Sequence, residues 1–313
     1  MSTIANHGNT SLHSEEQPVS FLTRWNLGNL EFSATNLAEP RRAMPLVVLL
    51  HGCKQDATEF GMETGWIEAA KLFEFALLLV GQKRINNADL CFNWFSPLDN
   101  RRNAGEAASI AGAVSELLSR GAVDPKKIFI TGLSAGGAMT SVMLACYPEL
   151  FSAGGIIGGL PYGISTWAPV AAEYLTGERR ISSIEQVRHI RSRNPGVRRW
   201  PRVSIWHGDD DDRVSPVNAS DTVSQWLEIH RLRRSPHQIE LIGSHEKRNW
   251  FGRNGKLRVE EFRLDGFGHA LPIAPHTGLK LGRPGKYVQD TSISSTEHLI
   301  RFFGLDGKKA ITI

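Results

Sequence analysis

The segment Gly132-Leu133-Ser134-Ala135-Gly136 sets a serine between two glycines, directly after an apolar run at 128–131 and before a helix-like stretch at 137–146. Strand, sharp turn and helix form the context in which a G-x-S-x-G pattern presents a nucleophilic hydroxyl at the edge of a sheet. Small flanking residues let strand and helix approach while the serine holds a strained backbone. A hydroxyl is a poor nucleophile until a base takes its proton. In this arrangement the acid and then the histidine follow the serine in chain order, the histidine on a late loop. Of eleven histidines, His269 in Gly268-His269-Ala270 fits best, after a strand-like run at 257–264. His276 and His298 are its rivals, His298 in a helix-like stretch and expected to be exposed. His189, His237 and His245 lie in polar segments and are expected to be solvated.

The acid belongs in the loop after the apolar run 203–206, which reads His207-Gly208-Asp209-Asp210-Asp211-Asp212-Arg213-Val214. Asp211 is the first choice and Asp209 the second; the other carboxylates are left to solvent or to capping the helix near Asn218. The run lacks the D-x-D-x-D-G spacing of a calcium loop, and no metal is expected. An acyl-transfer site also needs donors for the oxyanion. The N–H of Ala135, next to the nucleophile, supplies one, and the N–H of Cys53, in His51-Gly52-Cys53 after the apolar run 46–50, the other. His51 then orients its loop.

These residues need a scaffold. Short apolar runs at 46–50, 76–80, 128–131, 155–157 and 203–206 suit strands buried on both faces. Helix-like stretches at 64–73, 105–120, 137–146 and 218–231 alternate with them. That rhythm predicts an α/β fold, a mostly parallel central sheet with helices on both faces. Residues 1–44 read as a tail with edge strands near 19–22 and 30–32, and 45–313 as one catalytic domain. Asp124-Pro125 marks a turn before the 128 strand. An insertion at about 160–201, with a helix near 184–193, reads as a lid or cleft wall.

Composition closes off other classes. With 41% hydrophobic and 22% charged residues the chain is globular rather than disordered. A net charge of +4 without a nucleic-acid motif gives no reason to expect a nucleic-acid partner. No apolar run reaches the roughly 20 residues that span a bilayer. Residues 1–18 show no leader pattern, so the cytoplasm is the default, with the periplasm or exterior following if a leader has been lost.

Six segments together carry a resemblance: Leu50-His51-Gly52-Cys53, Cys91-Phe92-Asn93-Trp94-Phe95, Gly132-Leu133-Ser134-Ala135-Gly136-Gly137, Leu160-Pro161-Tyr162-Gly163, Trp206-His207-Gly208 and Gly268-His269-Ala270. In this order the chain resembles the polyhydroxybutyrate (PHB) depolymerase family of esterases, whose relatives include feruloyl and acetylxylan esterases. The resemblance implies an α/β-hydrolase fold and a cofactor-free triad of Ser134, Asp211 and His269, with Cys53 and Ala135 as oxyanion hole. It also implies a Cys53–Cys91 disulfide near the site, whereas Ile164 stands where relatives often have another cysteine. Cys146 reads as a small buried residue. Aromatic residues line the polymer cleft in that family, which singles out Trp94, with Tyr162 and Trp167 weaker candidates. The arginines at 188, 191, 193, 198, 199 and 202 read as a solvated face, with an acidic-substrate role as the alternative. The chain ends soon after Phe303, so a soluble or oligomeric ester is expected to be a better substrate than crystalline polymer. A serine peptidase and a catalytically silent binding protein on the same scaffold are the other readings; oligomeric state is left open.

Overall fold

The computed structural model of the chain describes residues 19–20, 26–35 and 43–307. The tail expected at 1–18, and residues 21–22 of the first edge strand, lie outside the described residues. In chain order the first half contains β1 (Val19–Ser20), β2 (Glu31–Thr35), β3 (Met44–Leu50), α1 (Ala57–Glu63), α2 (Trp66–Phe73), β4 (Ala76–Gly81), α3 (Gly105–Ser119), β5 (Val123–Leu133), α4 (Ala135–Cys146) and β6 (Ala153–Ile157). The second half adds α5 (Ala168–Thr176), α6 (Ser183–Arg193), β7 (Arg202–Gly208), α7 (Val217–His230), β8 (Gln238–Ile242), β9 (His245–Phe251), β10 (Leu257–Leu264), β11 (Leu271–Ile273), β12 (Val288–Asp290) and α8 (Ser295–Phe303).

Ten strands form one sheet in the order β1-β2-β4-β3-β5-β6-β7-β10-β9-β8. The six from β4 to β10 run parallel, while β1, β2, β9 and β8 attach antiparallel at the edges. Alternate residues of β3 divide between two cores, as the period of two requires. Leu46, Val48 and Leu50 pack with Ile110, Met139, Val142 and Trp226 from α3, α4 and α7. Val47 and Leu49 pack on the other face with Trp66, Phe129 and Phe303. With helices on both faces, the central strands are buried throughout, which explains their unbroken apolar sequences.

Five features differ from the sequence reading or refine it. The helix expected at 64–73 is α2, which starts at Trp66 because Gly65, at φ +76°, separates it from α1, a helix at 57–63 that the sequence reading did not contain; a Cβ on Gly65 would lie 2.7 Å from Leu281. Asp124-Pro125 lies within β5, at a register shift where Val123 pairs with Met44 but Ile128 with Leu46; the residues between bulge out of the ladder. The hairpin β8–β9 was not legible, since an edge hairpin with largely polar side chains offers no buried face to pattern. His298 is not exposed: it packs edge-on against Trp206 and Phe262, and burial, with Arg301 and Lys247 nearby, pushes its pKa down to about 3. His245 is also buried, its Nδ1 accepting the Asp265 N–H, whereas His189 and His237 are exposed.

Candidate active site

Ser134 ends β5 and begins α4 with φ 58° and ψ −118°, a conformation that costs a residue with a side chain about 1–3 kcal/mol. The turn is possible because its flanks are glycine. A Cβ on Gly136 would sit 2.3 Å from the Leu50 carbonyl oxygen, and one on Gly132 would sit 2.6 Å from the backbone of Gly136. The Ser134 N–H donates to Ile157 O at 2.9 Å, tying the turn to the neighbouring strand.

β7 and β10 are parallel neighbours, so the loops leaving their C-terminal ends meet. A Cβ on Gly208 would overlap the Phe267 carbonyl oxygen at 1.9 Å. The N–H groups of Asp209 and Asp210 donate to Leu264 O and Phe267 O. This contact brings together residues 58 apart in sequence. Asp211 Oδ2 lies 2.7 Å from His269 Nδ1, and His269 Nε2 lies 2.8 Å from Ser134 Oγ. Asp211 Oδ1 accepts the N–H groups of Arg213 and Val214. Burial alone would push the Asp211 carboxyl up. Hydrogen bonds from His207 and His269, the charge of His269 and the Val214 N–H outweigh it, and hold the carboxyl well below the usual range. An ionised carboxylate only accepts, so it fixes the proton on His269 Nδ1 and leaves Nε2 as the acceptor facing the hydroxyl.

Two supports were not read from sequence. His207 Nε2 lies 2.8 Å from Val214 O and 3.2 Å from Asp211 Oδ2, both acceptors, and is therefore a donor that braces the carboxylate. Glu106, buried in the first turn of α3, accepts from Gln82 Nε2 and from both the backbone and side-chain N–H of Asn93. Burial pushes it up to about 8 against those bonds. It anchors the segment carrying Cys91 and Trp94; a single buried glutamate in an alanine-rich helix leaves no pattern to find.

His51 and Cys53 lie on the loop after β3. His51 Nδ1 faces Gly52 O at 2.7 Å and must donate, while Nε2 accepts the Gln82 N–H at 3.1 Å. Burial lowers its pKa, so the neutral ring orients the loop. A Cβ on Gly52 would stand 2.9 Å from Gln55 Oε1 and in contact, at 3.5 Å, with Ser134 Cβ. Cys53 is joined to Cys91 in a disulfide.

The pocket over these groups has a volume of about 370 Å³. Cys53, Ser134, Ala135 and His269 form its floor, Trp94 and Tyr287 part of its wall, and Ala171 and Leu175 of α5 the side supplied by the insertion. Trp94 is thus at the pocket, edge-on to Phe95. Trp167, 65% exposed, precedes α5 outside the lining. Tyr162 corrects the sequence reading: it is buried behind the pocket with its hydroxyl 3.2 Å from Arg193 Nη1, because Gln225 holds its backbone from both sides. Asp209 lies outside the hydrogen-bonded chain and accepts the Gly266 N–H instead. His276 is exposed beside Asp290. Among the described residues no group of three or more His, Cys, Asp or Glu is arranged to hold a metal ion, and no helix is long and apolar enough to cross a membrane.

The family described as Esterase PHB depolymerase matches residues 36–235, more than half of the chain. The chain belongs to the PHB depolymerase family of esterases. Poly(3-hydroxyalkanoate) depolymerase C of Paucimonas lemoignei is 34% identical over 303 residues, covering 95% of this chain and 72% of the relative. An acetylxylan esterase of Coprinopsis cinerea is 31% identical, covering 72% of this chain and 62% of its own length. Feruloyl esterase B of Talaromyces funiculosus is 26% identical, covering 72% and 65%. The chain therefore spans just under two thirds of the last two relatives. The acetyl xylan esterase from Aspergillus awamori superposes with a TM-score of 0.76 at 20% identity, covering 93% of this chain and all of that one, and the shared architecture is the α/β-hydrolase fold.

Ile164, where the resemblance led to the expectation of another cysteine, is buried. Cys146 is a buried free thiol, its Sγ 3.6 Å from Asn100 O. The disulfide closes a loop of 38 residues, and in the chain-entropy account such a loop contributes about 4 kcal/mol. The double variant Cys53→Ala/Cys91→Ala is expected to lose stability of that order in urea unfolding. Unchanged midpoint and slope would assign the cross-link no structural role.

Proposed function

We propose that the protein is a serine carboxylic-ester hydrolase that works through an acyl-enzyme. The observation that carries this is the unbroken hydrogen-bonded chain from Ser134 through His269 to Asp211, opening into a pocket whose floor includes Cys53 and Ala135. His269 Nε2 takes the hydroxyl proton as Ser134 Oγ attacks the ester carbonyl carbon. The N–H groups of Cys53 and Ala135 receive the oxyanion, helped by the N-terminal dipole of α4. Asp211 stabilises the imidazolium. The imidazolium then protonates the departing alkoxide, and water, activated by the same nitrogen, releases the acid and restores Ser134.

The pocket is at the small end of the usual range for ligand sites, roughly 300–1,000 Å³, and is walled by Trp94 and by Leu175 on α5. That shape favours a short acyl or hydroxyalkanoate group over an extended polymer strand. p-Nitrophenyl butyrate is expected to be hydrolysed faster than a polyhydroxybutyrate film at equal enzyme concentration; faster film degradation would reverse the assignment. Including feruloyl and acetyl-xylan esters in the same screen tests the second reading, which the acetylxylan and feruloyl relatives support.

A further inference from the structure

The edge of the sheet opposite Ser134 carries a feature that ester hydrolysis does not use. The N-terminal ends of β5, β7 and β10 and the turn before β10 enclose a groove of about 400 Å³, lined by Lys126, Lys127, Arg199, Arg202, Lys256 and Arg258. A second groove of about 490 Å³ shares Arg199, Trp200 and Arg258 with it, and adds Arg191, Arg198, Arg231 and Arg253. Neither lining contains an aspartate or a glutamate. Lys127 and Ser134 lie seven residues apart along β5, roughly 23 Å at the rise of a strand, so the grooves are remote from the reacting atoms.

Surface arginines ordinarily sit among carboxylates. Here cations outnumber carboxylates. Arg202 is half-buried with its guanidinium 4.5 Å over the Phe302 ring. Its pKa is lowered first by burial and then by Arg258 and Arg199, against the pull of buried Glu260. Arg191 donates to Ile229 O and Glu228 O and is lowered by burial and by Arg231, against the pull of the Glu228 carboxylate. Burial, with Arg258 and Arg191, pushes His230 down to about 4, and its ring donates to Pro201 O instead of adding charge. Clustered cations that outnumber the carboxylates facing them, Glu260 at Arg202 and Glu228 at Arg191, raise the free energy of the unliganded protein, and an anion that fills the groove relieves that repulsion.

We propose that these two adjoining grooves form one binding site for a linear oligoanion, a short chain bearing several phosphate or sulfate groups. Two compartments sharing one wall suit charges strung along a chain better than a single tetrahedral ion. The fixed fork of arginine gives bidentate contacts to phosphate or sulfate oxygens that lysine alone would not. A single-stranded nucleic acid fits less well, because successive bases need aromatic platforms. Of the aromatic side chains in the linings, Phe129 and Phe303 are buried, and Arg191 already sits 6.0 Å from the Trp200 ring centroid.

The test is calorimetric titration of the whole chain with inorganic tripolyphosphate and with orthophosphate in 50 mM NaCl. Tripolyphosphate is expected to bind at one site at least twenty-fold more tightly than orthophosphate. Arg199→Glu/Arg258→Glu is expected to weaken tripolyphosphate at least tenfold while p-nitrophenyl butyrate hydrolysis stays within twofold of wild type, which shows that the variant is folded. Should that variant fail to fold, Arg199→Ala/Arg258→Ala is expected to weaken binding at least threefold. Lys71→Glu/Lys280→Glu changes net charge as much as the double glutamate variant but lies elsewhere, and is expected to change affinity less than twofold. No detectable binding, equal weakening by the two glutamate variants, or tighter binding of an oligodeoxynucleotide of equal charge would each overturn the proposal. A fluorescent sulfated oligosaccharide competing with tripolyphosphate in the same titration separates sulfate from phosphate selectivity.

Discussion

Ser134→Ala is expected to lower kcat on p-nitrophenyl butyrate by about a million-fold, the scale seen when the nucleophile of a comparable triad is removed, and to abolish labelling by a fluorophosphonate probe. The reasoning is local. Among the described residues, the Ser134 oxygen lies 2.8 Å from His269 Nε2 and is a group that can both give up a proton and attack carbon. Alanine keeps the Cβ and therefore the backbone cost at φ 58°, so thermal unfolding should barely move. Ser134→Gly separates the two effects. It loses the same activity but relaxes the turn, and after the entropic penalty of glycine it is expected to be more stable than wild type by about 1 kcal/mol. Residual turnover above about one per cent in the alanine variant would remove Ser134 from the reaction, whatever the stability result.

The fold was legible where burial left an unambiguous trace. The β3, β4 and β7 runs are apolar on every residue or nearly so because both faces of the sheet are covered, and Ser134 announces itself because glycine is compulsory on either side of it. Asp211 could be chosen among four neighbouring carboxylates only by position after β7. What decides it physically is the contact of Gly208 with the Phe267 carbonyl, which aims one carboxylate at His269, and no local pattern encodes a meeting of residues 58 apart. His298 went unread for a related reason. A histidine in a helix looks solvated until Trp206 and Phe262, from two other strands, are seen to cover it. Tyr162 shows the reverse error: a motif placed it beside the site, but Gln225 on α7 fixes its backbone and turns the ring into the core.

Asp211→Asn is expected to cost about 10⁴-fold in kcat, and Asp209→Asn less than twofold. The difference follows from what each carboxylate accepts. Asp211 Oδ1 is committed to the N–H groups of Arg213 and Val214, and Oδ2 to His269 Nδ1 and His207 Nε2. An asparagine oriented to keep the first pair presents its NH₂ to two ring N–H groups. His269 escapes that clash by moving its proton to Nε2, where it faces Ser134 and can no longer act as base; this wrong-tautomer effect sets the expected magnitude. Among the described residues Asp209 accepts the Gly266 N–H, at an exposed position, and asparagine can accept it equally well. Stability should follow the same division. The Asp211 carboxyl is depressed in the folded state, so its stabilisation is present above its unfolded pKa and fades as the folded carboxyl protonates in acid. The stability gap between wild type and Asp211→Asn is therefore expected to be widest near neutral pH and to close on acidification, as read by urea unfolding at stepped pH. Equal loss of kcat in the two variants would move the acid to another carboxylate of the loop, and a gap that widened in acid would show that Asp211 is held neutral rather than ionised.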